Sequence, residues 1–215
     1  MEFRDIAWTV YTNLAEFHKS RNIIPSSAPI SSDEFNRTMR TTGYVVTEGI
    51  AQPRERLPER NSLIIIFSPT SEAARKKGNF TKLLDQLRML TPAKRYFNNT
   101  DIIFISNEKP VSVINGYEEI IESLRAQYKQ LHIEAYMYEK LFIMPDNSLI
   151  PLHRILSQEE VEKLNADRLT DNTRRTPIST QDPPAVWLGA RTGDVIEIKR
   201  VSGETGYSAA YRVVK

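Results

Sequence analysis

Apolar residues recur along this chain at two different periods, and the switches between them mark out its elements. Over residues 3–21, Phe3, Ile6, Ala7, Val10, Leu14 and Phe17 keep helical spacing and predict an amphipathic helix, which Pro25 and Pro29 then exclude from continuing. Ser31 with Glu34 makes a capping box for a second short helix carrying Phe35 and Met39, and Gly43 ends it. Tyr44-Val45-Val46 reads as a short strand, and the polar, Pro-containing stretch 48–61 as a loop.

A strand–helix alternation follows. Leu63–Phe67 is a buried-strand run, and Asn79 is placed to cap a helix through Phe80, Leu83, Leu84, Leu87 and Leu90. Ile102–Ile105 is a second strand. Ile120, Ile121, Leu124, Tyr128 and Leu131 predict a helix over 117–131, and Ile133–Met137 a third strand. Strands separated by helices of this length predict βαβ units, so the first domain is expected to be α/β around a mixed, largely parallel sheet.

Beyond residue 140 the pattern changes. Leu141–Met144 is apolar and Pro145-Asp146-Asn147 turns the chain. Ser157 with Glu160 forms another capping box, before a short helix holding Val161 and Leu164. After a stretch rich in Thr, Asp and Pro, Val195–Arg200 and Ala209–Val214 predict a hairpin within a small α+β unit. The expected domains are 1–140 and 141–215.

Composition narrows the chemistry. The 215 residues are 40% hydrophobic and 26% charged, in the ordinary globular range, and include no cysteine. That removes thiol nucleophiles, disulfides and Cys-ligated metals, and it fits a reducing compartment. No apolar run approaches a membrane span and the N-terminus lacks a signal-peptide shape, so a soluble intracellular protein is expected. The net charge of +2 gives no general polyanion field, but residues 75–95 hold Arg75, Lys76, Lys77, Lys82, Arg88, Lys94 and Arg95 against Asp85 alone. Such a cluster is either a solvated helix face or a phosphate-facing patch.

Candidate catalytic patterns are few. No Gly-rich phosphate loop or GxSxG elbow occurs, and His18, His132 and His153 lie far apart, outside any metal-ligand spacing. Glu197-Ile198-Lys199 matches the ExK half of a Mg²⁺-dependent nuclease, with Asp182 upstream. A half-exposed strand explains the same letters: Ile196 and Ile198 face inward, and Glu197 and Lys199 are their solvated alternates. The second explanation is simpler, because Asp182 opens a Pro-Pro turn rather than ending a strand.

The tail carries an ordered set of motifs: Ile150-Pro151-Leu152-His153, Ser157-Gln158-Glu159-Glu160, Asp182-Pro183-Pro184-Ala185-Val186-Trp187-Leu188-Gly189, Ala190-Arg191-Thr192-Gly193-Asp194-Val195-Ile196-Glu197-Ile198-Lys199-Arg200, and Tyr211-Arg212-Val213-Val214. In this order and spacing they resemble the assembly domain of the fifth, shared subunit of eukaryotic nuclear RNA polymerases and its archaeal RNA polymerase counterpart. Two motifs depart from the family's form. Its L-P-x-I is here Thr176-Pro177-Ile178, and its S-E-T-A-G loop is Ser202-Gly203-Glu204-Thr205-Gly206, with the Glu-Thr pair displaced by one. The Asp182–Gly189 version is similar to those carried by large DNA viruses of eukaryotes.

The resemblance implies an N-terminal jaw domain beside downstream duplex DNA and a C-terminal assembly domain docked on the largest subunit. Catalysis would lie in other chains, with no cofactor, metal, small-molecule substrate or membrane partner for this one. By family register the DNA-proximal loop falls at Lys109, Pro110 and Ser112; Thr91-Pro92-Ala93-Lys94 is closer in letters but follows the preceding helix and reads as its ending turn. The expected docking residues are Asp182, Pro183, Gly189, Arg191, Gly193, Arg200, Glu204, Thr205, Tyr211 and Arg212, and charge alone adds Arg75, Lys76, Lys77 and Lys82 as expected DNA contacts. A cellular copy would be nuclear; a viral one would work in cytoplasmic factories and be packaged in virions. A Mg²⁺-dependent nuclease using Asp182, Glu197 and Lys199, and a freestanding nucleic-acid-binding or adaptor protein, are the competing functions.

Overall fold

The computed structural model describes residues 3–54, 58–68, 82, 83, 85, 100–106, 116–129, 131–145, 150–168, 174–202 and 206–215. The chain divides into two compact units, Met1–Phe142 and Ile143–Lys215. Among the described residues no helix is long and apolar enough to cross a membrane.

The first unit contains α1 (Phe3–Ser20), β1 (Ile23–Pro25), α2 (Ser32–Thr42), β2 (Tyr44–Ala51), β3 (Arg60–Phe67), β4 (Thr100–Ser106), α3 (Gly116–Gln127), β5 (His132–Met137) and α4 (Glu139–Phe142). Helix α1 buries Ala7, Val10, Leu14 and Phe17 as its spacing predicts, with Ile6 half-buried, and it also buries Tyr11. It stops before the prolines, where Asn22 takes a left-handed φ of 57°. Ser31 caps α2 by accepting from the Glu34 N–H at 3.3 Å, and Gly43 closes it at φ 80°. Of the predicted helix around 80–90, only Lys82, Leu83 and Asp85 are among the described residues; Leu83 is buried.

The five strands form one sheet in the order β1-β2-β3-β4-β5. β3, β4 and β5 are parallel, as expected, whereas β1, β2 and β3 pair antiparallel. The sheet is therefore mixed in equal measure rather than largely parallel. Connection length decides the direction from β2 onward, whereas β1 and β2 are antiparallel although α2 lies between them. Residues 52–59 are too few for a crossover, which needs about a dozen residues or more, while 68–99 and 107–131 are long enough. β2 also runs through 48–51, which the sequence assigns to a loop. Gly49 permits the edge strand: a Cβ there would lie 2.6 Å from Ile23 Cγ2 and 2.9 Å from the Ile24 carbonyl oxygen.

One sheet face packs Leu63, Ile65, Phe67, Ile102, Phe104 and Ile133 with Leu83, Leu124, Tyr128 and Leu131. The other face carries a buried ion pair. The Arg21 guanidinium, just past α1, donates to Glu134 Oε2 at 2.6 Å and to the Tyr136 hydroxyl at 3.1 Å, and it lies 4.5 Å from the Phe17 ring centroid. Tyr136 donates to the same carboxylate at 2.8 Å, and His132 Nε2 lies 2.9 Å from its other oxygen. Burial by itself would raise the Glu134 carboxyl, but the Arg21 charge and the His132 contact outweigh it and hold the group well below the usual carboxylate range.

The second unit contains β6 (Leu152–Ile155), α5 (Gln158–Arg168), β7 (Pro177–Ile178), α6 (Pro183–Leu188), β8 (Val195–Ser202) and β9 (Gly206–Val214). Its sheet order is β6-β8-β9-β7, with β6, β8 and β9 antiparallel and β7 parallel to β9. Ile178, Ala185, Ala190, Ile196, Ile198 and Val214 form the core on one face; Leu156, Val161 and Val195 form a smaller one under α5. Asp182-Pro183-Pro184 starts a helix rather than a plain turn, because a proline's fixed φ suits the first helical positions. The tip of the predicted loop, residues 203–205, lies outside the described residues, as do 146–149 with most of the Pro145-Asp146-Asn147 turn.

Arg21→Met leaves the Glu134 carboxylate buried without its cation and is expected to cost the first unit about 3–5 kcal/mol, with Arg21→Met/Glu134→Leu recovering most of the loss. Because the folded-state value of Glu134 is depressed, its stabilisation is complete above the ordinary glutamate value of 4.5 and declines as the pH falls below it. Thermal melts read from Trp8 in a Trp187→Phe background check both expectations; the double variant should lack this part of the acid dependence.

Candidate functional site

A network of charged side chains lies where the second unit carries its sequence motifs. Strand pairing sets Arg154 of β6 opposite Glu197 of β8, and Glu197 opposite Tyr211 of β9. Three side chains thus share one row on one face. Arg154 Nε donates to Glu197 Oε2 at 2.6 Å, and the Tyr211 hydroxyl donates to Glu197 Oε1 at 3.3 Å. Arg154 Nη1 also donates to both oxygens of Glu160, at 2.7 and 2.9 Å.

Glu160 is in turn part of the capping box that starts α5. Its Oε2 accepts the Ser157 N–H at 2.9 Å, and the Glu160 N–H donates to Ser157 Oγ at 3.1 Å. The Ser157 backbone bond and Arg154 hold the Glu160 carboxyl below its ordinary value, and the bond to Glu160 raises Arg154. One guanidinium therefore fastens the start of α5 to the middle of the sheet.

This geometry corrects the sequence reading of Glu197. It is a buried partner of an arginine, not a solvated alternate. Ile196 and Ile198 are buried on the opposite face, and Lys199 is exposed, as expected. The pattern also fails as a nuclease half-site: the Glu197 carboxylate is engaged by Arg154, and Asp182 sits at the start of α6. Among the described residues no group of three His, Asp or Glu side chains is arranged to hold a metal ion.

The docking candidates fall in two regions. Around the base of the hairpin, Asp182 is half-buried and its carbonyl accepts the Val186 N–H, while Pro183 is exposed at the first helical position. Gly189 ends α6 at φ 61°, and Gly193, at φ 95°, donates its N–H to the Val214 carbonyl. The Arg191 N–H donates to Asp194 Oδ2 at 2.8 Å, closing a tight turn into β8. Arg212 reaches the Pro177 carbonyl at 3.4 Å, and Tyr211 belongs to the Arg154 row. Arg200 is exposed further along β8, opposite Ser208. Glu204 and Thr205 lie outside the described residues.

Of the DNA candidates, Lys82 is exposed, and Arg75, Lys76, Lys77, Lys109, Pro110 and Ser112 lie outside the described residues. The histidines are placed singly. His132 meets Glu134, His153 Nδ1 lies 2.5 Å from the Pro151 carbonyl oxygen, and His18 is buried, its value lowered by burial and by Arg21. The sequence reading missed Arg154 as the centre of the second unit. Arg154 stands among the motif residues, but its partner across the sheet depends on strand register.

Three comparisons bear on this arrangement. Residues 142–214 match the family described as RNA polymerase Rpb5, C-terminal domain. The chain is 27% identical over 206 residues, 95% of each chain, to a DNA-directed RNA polymerase RPB5 homolog of African swine fever virus. It is also 46% identical over 76 residues to the DNA-directed RNA polymerase subunit Rpo5 of Thermococcus kodakarensis, covering 35% of this chain and 93% of that one.

Arg154→Met leaves buried Glu197 with Tyr211 alone and is expected to destabilise the second unit by about 1–3 kcal/mol, toward the low end because Arg154 is itself 43% exposed. Arg154→Met/Glu197→Leu should recover most of that. Urea unfolding followed through buried Trp187, in a Trp8→Phe background, measures it.

Proposed function

The chain belongs to the Rpb5 family of DNA-directed RNA polymerase subunits, and from that premise we propose that it is a non-catalytic subunit whose C-terminal unit docks on the largest subunit. The observation that carries the reading is where the similarity concentrates. The archaeal relative matches this chain over 76 residues that make up 93% of its own length. The family match, 142–214, coincides with the second unit. A role common to both proteins is thus a role of this unit, and its chemistry suits attachment rather than catalysis: Glu197 and Glu160 are both engaged by Arg154.

The first unit is assigned the jaw beside downstream duplex DNA. Its topology supports this reading. β3 and β4 are parallel neighbours, with Ile66 opposite Ile105, so the chain leaves both strands at the same edge of the sheet. The basic segment with Arg75, Lys76 and Lys77 follows β3, and the segment with Lys109, Pro110 and Ser112 follows β4. Two cation-bearing segments leaving one edge suit contact with backbone phosphates. A transcribing enzyme needs such sequence-independent contact, since it accepts every sequence and moves along it. Relatives from a large DNA virus that match 95% of the chain favour a viral version, working in host cytoplasmic factories and carried in virions.

Deleting 143–215 is expected to abolish co-purification with the other polymerase subunits, and assembly retained by the truncated chain would contradict the docking assignment. For DNA, removing one cation–phosphate interaction should lower the slope of log K against log salt by about 0.9. Lys109→Ala and Lys76→Ala/Lys77→Ala should therefore weaken downstream-DNA retention equally on unrelated sequences, measured across a salt titration. A weakening confined to one sequence would indicate base readout and contradict the jaw assignment.

A further inference from the structure

The hairpin that holds the motifs is longer than the strands beside it. β7 pairs only with Val213 and Val214, whereas β9 begins at Gly206. Backbone alternation fixes which groups face outward along the rest. The Val213 N–H donates outward to the Thr176 carbonyl, and the Val214 N–H donates inward to the Asp194 carbonyl. By the two-residue period of an antiparallel strand, Tyr207 and Ala209 direct their N–H and C=O groups outward, while Ser208 and Ala210 direct theirs to β8.

Among the described residues no strand pairs with this stretch, and its sequence lacks the usual protection. Exposed strand edges are commonly blunted by lysine, proline or a bulge, yet positions 206–211 read Gly-Tyr-Ser-Ala-Ala-Tyr. Ser208 and Ala209 are exposed, with short side chains, and their partners across the pair are Arg200 and Lys199, both exposed and pointing to opposite faces. A short side chain on β9 lets each cation lean across it toward whatever lies in the next lane. Ile196, Ile198 and Val213 of the hairpin are buried in the unit, and the backbone of Ala209 and the charges of Lys199 and Arg200 are presented outward.

We infer that the β9 edge at Tyr207–Ala209 accepts an extended acidic segment of another polymerase subunit as an added strand, with carboxylates on its two faces meeting Lys199 and Arg200. This rests on the docking role of the second unit. It differs in naming the surface, the mode and the charge of the partner segment. Ala209→Pro tests it cleanly, because it removes an outward N–H and leaves the β8 ladder intact.

The experiment is hydrogen exchange of the full chain, alone and within the assembled polymerase, with capture assays on variants. The Tyr207 and Ala209 amides should exchange fast in the free chain and slow by about 100-fold or more on assembly, with Ser208 and Ala210 slow in both. Ala209→Pro and Lys199→Glu/Arg200→Glu should each lower capture by the remaining subunits about tenfold, with unchanged melting of the second unit. If the proline variant fails to fold, the charge reversal decides. Unchanged exchange on assembly, or capture equal to the parent chain while the 143–215 deletion fails to assemble, overturns the edge inference alone. If the deletion itself still assembles, the docking role falls and the inference with it. Protection in the free chain together with a dimer in sedimentation would assign the edge to a second copy and overturn it as well.

Discussion

One guanidinium holds the C-terminal unit in register. Arg154 ties β6 to β8 through Glu197 and ties both to the first turn of α5 through Glu160. The capping box closes only because Glu160 faces Ser157 with one oxygen while meeting Arg154 with both. Removing Arg154 alone leaves Glu197, 9% exposed, short of its charge partner, which costs more than exchanging the pair for apolar residues. A one-residue slip between β6 and β8 would move Arg154 to the other face and break these bonds. The first unit repeats the device with Arg21, Glu134 and Tyr136, which lock the end of α1 to β5.

These internal commitments leave a short list of groups for partners. In the second unit Val195, Ile196, Ile198, Val213 and Val214 of β8 and β9 sit in the core, and the buried carboxylate is engaged. The hairpin's outward groups include the backbone at Tyr207 and Ala209 and the cations Lys199 and Arg200. A subunit built to be held by other chains has use for such a surface, because main-chain pairing gives affinity without a large apolar patch that would aggregate before assembly. In the first unit the mixed sheet sends the segments after β3 and β4 from one edge.

Much of the local structure is legible in the sequence because its signals are local. The N-cap at Ser31, the capping box at Ser157, the stop at Gly43 and the buried stripe of α1 involve residues within one or two turns of each other. Strand direction is less legible. It follows from connection length between β2 and β3 but not between β1 and β2, and the polar stretch before β3 hides that β2 runs on to Ala51. β1 escapes a sequence reading because three residues ending in proline carry no period. The pairings of Arg154 with Glu197 and Arg21 with Glu134 bridge distant parts of the chain, and no spacing rule reaches that far. One signal is available: Glu134 interrupts an apolar strand, and a charge at such a position is normally buried with a partner. The motif order in the tail is readable for a different reason, since a resemblance compares whole sets of residues without needing their contacts.

The central claim is that this chain works as part of a multisubunit polymerase and not alone. Purifying the native complex through a tag on this chain, then assaying the eluate for template-directed RNA synthesis, tests it most directly. The account predicts stoichiometric recovery of the large subunits together with RNA synthesis activity. Recovery of the chain by itself, with the activity left in the unbound fraction, would contradict it.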